Sequence, residues 1–294
     1  MQVIEVRNVH DALLRGVDVL HTDGEKSESR NGLVYQAPTP VTTVYHKPKE
    51  RVLFWEERDA NPFFHFMEAL WMLDGRNDLQ FVFEYNSGMV NYSDDGETLH
   101  GAYGWRWRSF FMYDQLSIII ERLKNNPEDR RSVLQMWDPI EDLNRVGVDV
   151  PCNTCIYFKI DLKGRLQMTV SNRSNDIIWG AYGANVVHMS MLQEYMASAI
   201  GVPVGRYYQV SDNYHAYAEV FEELLEKLLA KDAIDFYTQR HLIDSNPYKL
   251  GEVQPYPMIN TGIQTWELDL LKFLDRNAFE DIVFKDPFFN EVAV

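Results

Sequence analysis

The pattern of apolar and polar positions predicts a chain in which helices and strands alternate irregularly. Asn61-Pro62 offers a capping side chain followed by proline at the first helical position, and Gly75 offers a stop. The segment between them is apolar on nearly all sides, so we predict a buried helix there. Helical periodicity also marks residues 112–124, 185–200, 215–231 and 266–274.

Strand patterns lie between these helices. Two alternating runs flank Lys163-Gly164 within residues 148–180, and this arrangement predicts a β-hairpin. Residues 1–20 alternate and then become amphipathic, which is typical of a short strand or a helix. Further strands are predicted at residues 33–46, 131–138 and 204–212.

Two polar stretches are predicted to be loops. Residues 21–32 end in Arg30-Asn31-Gly32 and read as a surface loop that can close over a ligand, and residues 77–100 read as a loop-rich insertion. The sequence contains neither an internal repeat nor a low-complexity linker, so we expect one domain over residues 1–294. The mixed order of elements predicts an α+β fold with a largely buried sheet.

Composition narrows the class of protein. With 46% hydrophobic and 13% aromatic residues the chain can bury a large core, and no apolar run approaches the ~20 residues of a membrane span. The N-terminus lacks a signal-peptide pattern, and two cysteines make no disulfide framework, so we expect a reducing, cytoplasmic setting. A net charge of −16 argues against general nucleic-acid binding, so an anionic ligand must be held by arginines gathered locally.

The two cysteines allow two kinds of site. Cys152 and Cys155 have C-x-x-C spacing, but no second cysteine pair or histidine pair follows at zinc-finger spacing, so we predict no metal. As a nucleophile, Cys152 needs a cation to stabilise its thiolate, and the hairpin would bring Arg173 alongside it. No strong Cys-His pair is visible in the sequence, and Asn153 follows the thiol directly, so a papain-like protease fits poorly. The alternative is a small buried cysteine.

Two further motifs have two readings each. Glu68 shares a face of the predicted buried helix with Phe64 and Trp71, so its carboxylate must be paired, neutral or functional. Residues 102–111 combine aromatic and basic side chains. They form either a helix entry with arginines that extend to solvent or a stacking wall for a planar ligand.

Taken in order, these motifs resemble the thymidylate synthase family over most of the chain. Pro151-Cys152 resembles the family's nucleophile, and Glu68 in EALW resembles its catalytic glutamate. The other matches are Tyr103-Gly104 with Trp107-Arg108, Asp129-Arg130-Arg131 with Trp137, Asn172-Arg173-Ser174 with Asp176 and Gly180, His215 with Tyr217, and the terminal Val292-Ala293-Val294.

The resemblance implies a role for each matched residue. It implies a mixed sheet backed by helices, a sheet-to-sheet homodimer, a pyrimidine nucleoside monophosphate substrate and 5,10-methylenetetrahydrofolate as carbon donor. The implied catalytic residues are Cys152, Glu68, Tyr103 and Asp176. The implied phosphate ligands are Arg30, Arg130, Arg131, Arg173 and Ser174, with Arg130 and Arg131 crossing to the partner subunit. Asn185, His215 and Tyr217 are implied at the base and sugar, and Trp107, Asp176, Gly180 and Val294 at folate.

Departures from the family pattern favour one branch of it. Asn153 replaces the histidine of the synthases, Asn185 lies one residue late, and Asn91 or Tyr92 stands where a tryptophan flanks the reactive methylene. Arg-Ser-Asn-Asp at residues 173–176 resembles the dCMP hydroxymethylase branch more closely. A pocket that excludes water less completely favours attack of water on the reactive methylene over transfer of hydride to it. We therefore expect 5-hydroxymethylation of dCMP or dUMP, with dCMP slightly favoured.

Two other functions stay open from the sequence. A true thymidylate synthase, which would convert dUMP to dTMP and release dihydrofolate, is favoured by Asn185 and by the C-terminal tail. A nucleotide- or RNA-binding homologue without catalysis is disfavoured by the retained Cys152 and Glu68. Covalent trapping of Cys152 by a 5-fluorinated nucleotide separates the enzymes from the binding protein.

Overall fold

A mixed sheet of eight strands organises the residues that the computed structural model describes, which are 1–229, 258–276 and 282–292. The central order is β1-β4-β8-β7-β6-β5, and β3 pairs with both β8 and β2. The strands are β1 Gln2–Val6, β2 Glu25–Ser29, β3 Gly32–Gln36, β4 Val41–Tyr45, β5 Val133–Gln135, β6 Asn153–Ile160, β7 Leu166–Asp176 and β8 Val204–Tyr217.

Helices surround this sheet and cover one of its faces. They are α1 Val9–Asp23, α2 Pro62–Leu73, α3 Leu79–Tyr85, α4 Tyr103–Trp105, α5 Gln115–Asn125, α6 Asn185–Ile200, α7 Ala218–Leu229, α8 Ile263–Asp275 and α9 Pro287–Val292. Two π-helical segments, Arg106–Phe110 and Ile177–Ala184, lead out of α4 and into α6. None of the helices in the described residues is long and apolar enough to cross a membrane.

The predicted α+β fold is confirmed, and so are its central hairpin and buried helices. Gly164 has φ +72°, a value that glycine adopts without strain, in the turn between β6 and β7. The Asn61 side chain accepts the Phe64 N–H at 3.0 Å at the start of α2, as its position before proline predicts. Helix α6 is buried along most of its length and ends at Gly201, whose φ is +89°.

Helix α4 packs against the end of α2 with no room for a side chain between them. A Cβ on Gly104 would overlap the backbone of Met72, so the family-like Tyr-Gly pair is required by packing as well as by chemistry. This contact fixes Tyr103, the first residue of α4, relative to α2. Two helices that carry predicted catalytic side chains are thereby locked together.

Predicted loops turned out to contain regular structure. Within residues 21–32, Glu25–Ser29 forms β2, which pairs antiparallel with β3. Its side chains are nearly all exposed, so it lacks the apolar alternation by which a strand is recognised. Within residues 77–100, α3 is capped by Asp78, whose carboxylate accepts the Phe81 N–H at 3.3 Å.

Three predicted boundaries were wrong, two because of strand pairing and one because of a helix cap. Strand β8 continues to Tyr217, where helix 215–231 was predicted to begin, because its last residues pair with β3 and β7. The predicted strand 131–138 pairs only over β5, after which Met136 and Trp137 N–H groups both donate to the Thr154 carbonyl. Helix α5 starts at Gln115 instead of 112, after Asp114 caps it, and Lys231 lies outside the described residues.

Burial gives Asp74, at the C-terminal end of α2, a pKa raised to about 6. The folded protein therefore keeps a proton that the unfolded chain loses near pH ~4. The protonated Asp74 side chain stabilises the folded state fully below the unfolded pKa, and this stabilisation is lost as pH rises through about 6. Because the carboxylate is partly exposed, we expect Asp74→Asn to stabilise the protein at pH ~8 by only about 1 kcal/mol, with no gain at pH ~4.

Urea unfolding at several pH values measures this effect. Asp18→Asn, at an exposed position of α1, controls for the change in net charge. A gain from Asp74→Asn that is the same at acid and alkaline pH would contradict the raised pKa.

Candidate active site

A cavity of about 520 Å³ opens between the β2–β3 turn, the ends of β7 and β8, and the loop before β6. Its walls combine residues that are distant in sequence, because the sheet places the ends of β7 and β8 side by side. The lining includes Arg30, Trp137, Arg173, Ser174, His215 and Tyr217. Five of these six were predicted to bind the nucleotide.

Arg173 holds the chain around Cys152. Its Nη2 donates to the Val150 carbonyl at 3.0 Å and its Nε to the Pro151 carbonyl at 2.9 Å. The same Nη2 lies 3.9 Å from Cys152 Sγ, and the guanidinium sits 5.5 Å from the centroid of the Trp137 ring. The predicted pairing of a thiol with an arginine across the hairpin is confirmed.

The charge state of the Cys152 thiol depends on opposing influences. Burial raises its pKa above the ordinary value, and the Asp149 carboxylate raises it further, while the guanidiniums of Arg173 and Arg30 lower it. Burial also raises the pKa of Asp149, whose carboxylate accepts the Gly101 N–H at 2.9 Å. Without ligand the thiol is therefore mostly protonated near neutral pH, and the two arginines limit the cost of ionising it.

Tyr103 lies against the nucleophile. Its phenol is near the backbone N–H groups of Cys152 and Asn153, and burial raises its pKa, an effect that the nearby thiol increases. The hydroxyl is therefore neutral and can hydrogen-bond to a ligand or water beside the sulfur.

The β2–β3 turn forms one rim of the cavity. Arg30 Nη1 donates to the Gly147 carbonyl at 3.2 Å, and Asn31 Nδ2 donates to the Tyr217 hydroxyl at 3.2 Å. Arg30, Arg173 and Ser174 thus present two guanidiniums and a hydroxyl to one cavity, a set suited to a phosphate.

Arg130 and Arg131 do not line this cavity in the single chain. Both are exposed just before β5, and 82% of the Arg131 side chain is accessible. Arg131 Nε lies 3.6 Å from Asp129, which is held mainly by Arg122. Their predicted role depends on a second subunit and stays a prediction.

The base and sugar side is built by amides and by the end of β8. Asn185 Nδ2 donates to Asn175 Oδ1 at 3.1 Å, and Asn175 Nδ2 donates to Ser211 Oγ at 2.9 Å. The His215 ring packs edge-on against the Tyr217 ring, with centroids 5.8 Å apart. Asn185 is therefore held at the start of α6 by a neighbouring amide, despite its late position in the family pattern.

Glu68 is buried in α2, and its Oε2 lies 2.9 Å from His188 Nε2 on α6. Of the alternatives left open by the sequence, this short contact favours a paired carboxylate, although His188 Nε2 makes no hydrogen bond of ordinary geometry within the described residues. His188 lies in the predicted helix of residues 185–200, where its apolar neighbours favour a core position. Its partner is visible only once α2 and α6 are packed together.

The π-helical segment before α6 carries groups that fit a planar, hydrogen-bonding ligand such as folate. Trp179 is 53% exposed, and Arg58 lies 4.4 Å from its ring centroid. Asp176 Oδ1 accepts the Ile178 and Trp179 N–H groups, while its buried Oδ2 makes no hydrogen bond of ordinary geometry within the described chain. Burial raises the Asp176 pKa, and nearby His215 and the Tyr217 N–H lower it.

Of the residues predicted to contact folate, Trp107 needs correction and Val294 cannot be tested. Trp107 has no exposed surface, because it packs into the core behind α4, so it cannot contact folate directly as predicted. Its neighbour Arg106 is also fully buried and pairs with Asp142 at 2.6 Å, so it does not extend to solvent. Gly180 lies beside Asn175 and Asn185, and Val294 falls outside the described residues.

The family model for thymidylate synthase matches residues 15–246, and the chain belongs to that family. It is a one-carbon transferase that acts on C5 of a pyrimidine nucleotide. Among the described residues, no group of three or more His, Cys, Asp or Glu side chains could hold a metal ion.

Three relatives carry the same printed name, deoxyuridylate hydroxymethyltransferase. The protein of Pseudomonas phage M6 is 52% identical over 294 residues, which are 100% of this chain and 82% of the relative. That of Bacillus phage SP01 is 36% identical over 243 residues, 74% of this chain and 62% of the relative. That of Delftia phage PhiW-14 is 30% identical over 245 residues, with shares of 78% and 66%.

Proposed function

We propose that the protein hydroxymethylates C5 of dUMP, with the carbon taken from 5,10-methylenetetrahydrofolate and the oxygen from water. The observation that carries the proposal is the Cys152 sulfur beside Arg173, whose side chain lines the nucleotide-sized cavity. The sequence slightly favoured dCMP. The printed names of the relatives favour uracil, and the Asn185 amide can meet O4 and N3–H of that base.

Covalent activation begins at Cys152. Its sulfur adds to C6 of the pyrimidine, and the electron pair of the C5=C6 bond moves toward the C4 carbonyl, so C5 becomes nucleophilic. Arg173 stabilises the thiolate before attack, and Arg30, Arg173 and Ser174 hold the phosphate. His215 and Tyr217 orient the sugar at the end of β8.

The bound folate supplies a carbon at the oxidation level of formaldehyde. Asp176, whose Oδ2 has no hydrogen-bond partner within the described residues, and the exposed face of Trp179 would hold it. The missing side chain of Gly180 leaves room for the Asn175 and Asn185 amides, and Gly180 stays a proposed contact of folate. Val294 stays a proposed contact of the same ligand. Transfer of the carbon to C5, loss of the C5 proton to water and departure of tetrahydrofolate would leave a methylene group double-bonded to C5. Glu68 takes a proton from the water that adds to this methylene, and Cys152 then leaves C6.

We further propose that the enzyme is a homodimer joined through the open face of the sheet. On that face Val133 is 41% and Tyr157 is 48% exposed in the single chain, and Thr169 and Tyr208 continue the same row across β7 and β8. Large apolar and aromatic side chains in a row on a sheet face are typical of an interface. Pairing two such faces would carry Arg130 and Arg131 toward the other subunit's phosphate site.

A product assay by mass tests the proposed function. The purified protein is incubated with methylenetetrahydrofolate and dUMP, dCMP or CMP, and we expect a nucleotide heavier by CH₂O from dUMP alone, with tetrahydrofolate released. A product heavier by CH₂, together with dihydrofolate, would identify a thymidylate synthase instead. Reaction with dCMP in place of dUMP would overturn the choice of base.

A further inference from the structure

The contact between Glu68 and His188 joins two buried ionisable groups from different helices. Glu68 Oε2 and His188 Nε2 are 2.9 Å apart, and the side chains are only 9% and 3% exposed. At this distance the two atoms are in contact, but neither ring nitrogen of His188 makes a hydrogen bond of ordinary geometry within the described residues. Burial of either charge alone would be costly, so each group needs the other. His188 lies one helical turn after Asn185 on α6, which places the contact next to the proposed base-reading amide.

The groups around this pair do not compete for its proton. His65, also on α2, packs edge-on against the His188 ring with centroids 6.3 Å apart. Burial, with smaller effects of His188 and Arg58, lowers the pKa of His65 to about 3, so His65 is neutral near neutral pH. Arg58 donates its Nε to the Ile178 carbonyl at 2.8 Å. In this cluster the Glu68–His188 pair is therefore where a mobile proton can reside.

Resting on the proposed hydroxymethylation, we propose that His188 is a positioning residue that holds Glu68 and shares the proton which Glu68 takes from water. As the water oxygen bonds to the C5 methylene, one water proton passes to Glu68. The electron pair of the exocyclic double bond moves to the C4 oxygen. Return of that pair re-forms C4=O and C5=C6 and breaks the C6–S bond. This step regenerates the Cys152 thiolate. The Glu68–His188 pair then releases to solvent the proton that it took from water, which completes the balance.

A purely structural role and a proton-sharing role predict different behaviour of substitutions. Glutamine at position 188 can still hydrogen-bond a carboxylate but cannot accept its proton, whereas leucine can do neither. If the pair shares a proton, its two members titrate together, and each alters the pH at which the other ionises. If the contact only joins α2 to α6, glutamine should preserve the rate.

The kinetic test compares His188→Gln and His188→Leu with a matched control. His46→Gln removes an exposed His–Glu contact of 3.2 Å with Glu5, outside the cavity. We expect kcat to fall about tenfold or more in His188→Gln, and further in His188→Leu, with KM for dUMP within about twofold of wild type. The pH profile of kcat should lose one limb in both. A His188→Gln enzyme with wild-type kcat and pH profile overturns the proposal.

A second readout needs neither folate nor turnover. Histidine-labelled wild-type and Glu68→Gln proteins are titrated by NMR without ligands, and His188 is assigned from the signal missing in His188→Gln. We expect the pH dependence of the His188 signal to differ between Glu68→Gln and wild type, while the His46 signal is unchanged by the substitution. An unmoved His188 titration overturns the proposal even if the position-188 variants fold poorly.

The two proposals fail separately. If the wild-type product is a methyl nucleotide, the proposed function fails, while the NMR titration still reports whether Glu68 and His188 share a proton. If the wild-type product is hydroxymethylated but His188→Gln keeps its rate and pH profile, only the role of His188 fails.

Discussion

Replacing Cys152 with alanine is expected to lower the rate of pyrimidine modification by roughly 10⁴-fold or more. The sulfur is the group that bonds to C6, and without that bond C5 of the ring is not nucleophilic. Arg173 and the rest of the cavity stay in place, because Arg173 contacts the Val150 and Pro151 carbonyls independently of the thiol. Nucleotide binding should therefore change little while kcat collapses.

Intact-protein mass spectrometry supplies the direct measurement. With 5-fluoro-dUMP and methylenetetrahydrofolate, the wild-type protein should gain a stable adduct and Cys152→Ala should not. Cys155→Ser is the matched control, because Cys155 is the other thiol of the chain and contacts the Tyr157 hydroxyl at 3.4 Å. Adduct formation by Cys152→Ala, or its loss only in Cys155→Ser, would contradict the assignment of the nucleophile.

Features with a local signal could be predicted from the sequence. The turn at Gly164 sets the register of β6 against β7, and that register brings Cys152 and Arg173 together. Helix α2 likewise begins where Asn61 and Pro62 place its first turn. In each case a few adjacent residues determine the outcome, so a single sequence contains enough information.

Features that depend on how distant elements pack could not be predicted in the same way. His188 is one of several apolar-facing positions on α6, and only the packing of α6 against α2 selects it as the partner of Glu68. Trp107 matches a family motif, yet its burial follows from the way α4 closes on α2. The end of β8 looked helical until its pairing with β3 was known.

Arg130 and Arg131, which lie just before β5, are exposed and do not line the cavity of their own chain. Two guanidiniums at Arg130 and Arg131 stand in solvent on a protein with a net charge of −16, beside a sheet face that carries exposed Val133 and Tyr157. The proposed dimer would account for both features at once, because a two-fold axis through that face would bury it and bring each pair of arginines to the other subunit.

Mixing two inactive variants should therefore restore activity. One variant carries Cys152→Ala, and the other carries Arg130→Ala together with Arg131→Ala. In a hybrid dimer one site has neither thiol nor partner arginines, while the second has its own Cys152 and arginines from the Cys152→Ala subunit. With random association half of the dimers are hybrids, so co-expression should recover about a quarter of wild-type activity.

The control for this experiment pairs Cys152→Ala with Arg173→Ala. Arg173 contacts the Cys152 loop of its own chain, so these two substitutions remove parts of the same half-site. Every hybrid then has one site without the thiol and one without Arg173, and activity should stay at the low level of the parent variants. No recovery with the Arg130/Arg131 variant would place those arginines outside the partner's site. Recovery in the control would contradict the assignment of Cys152 and Arg173 to the same half-site.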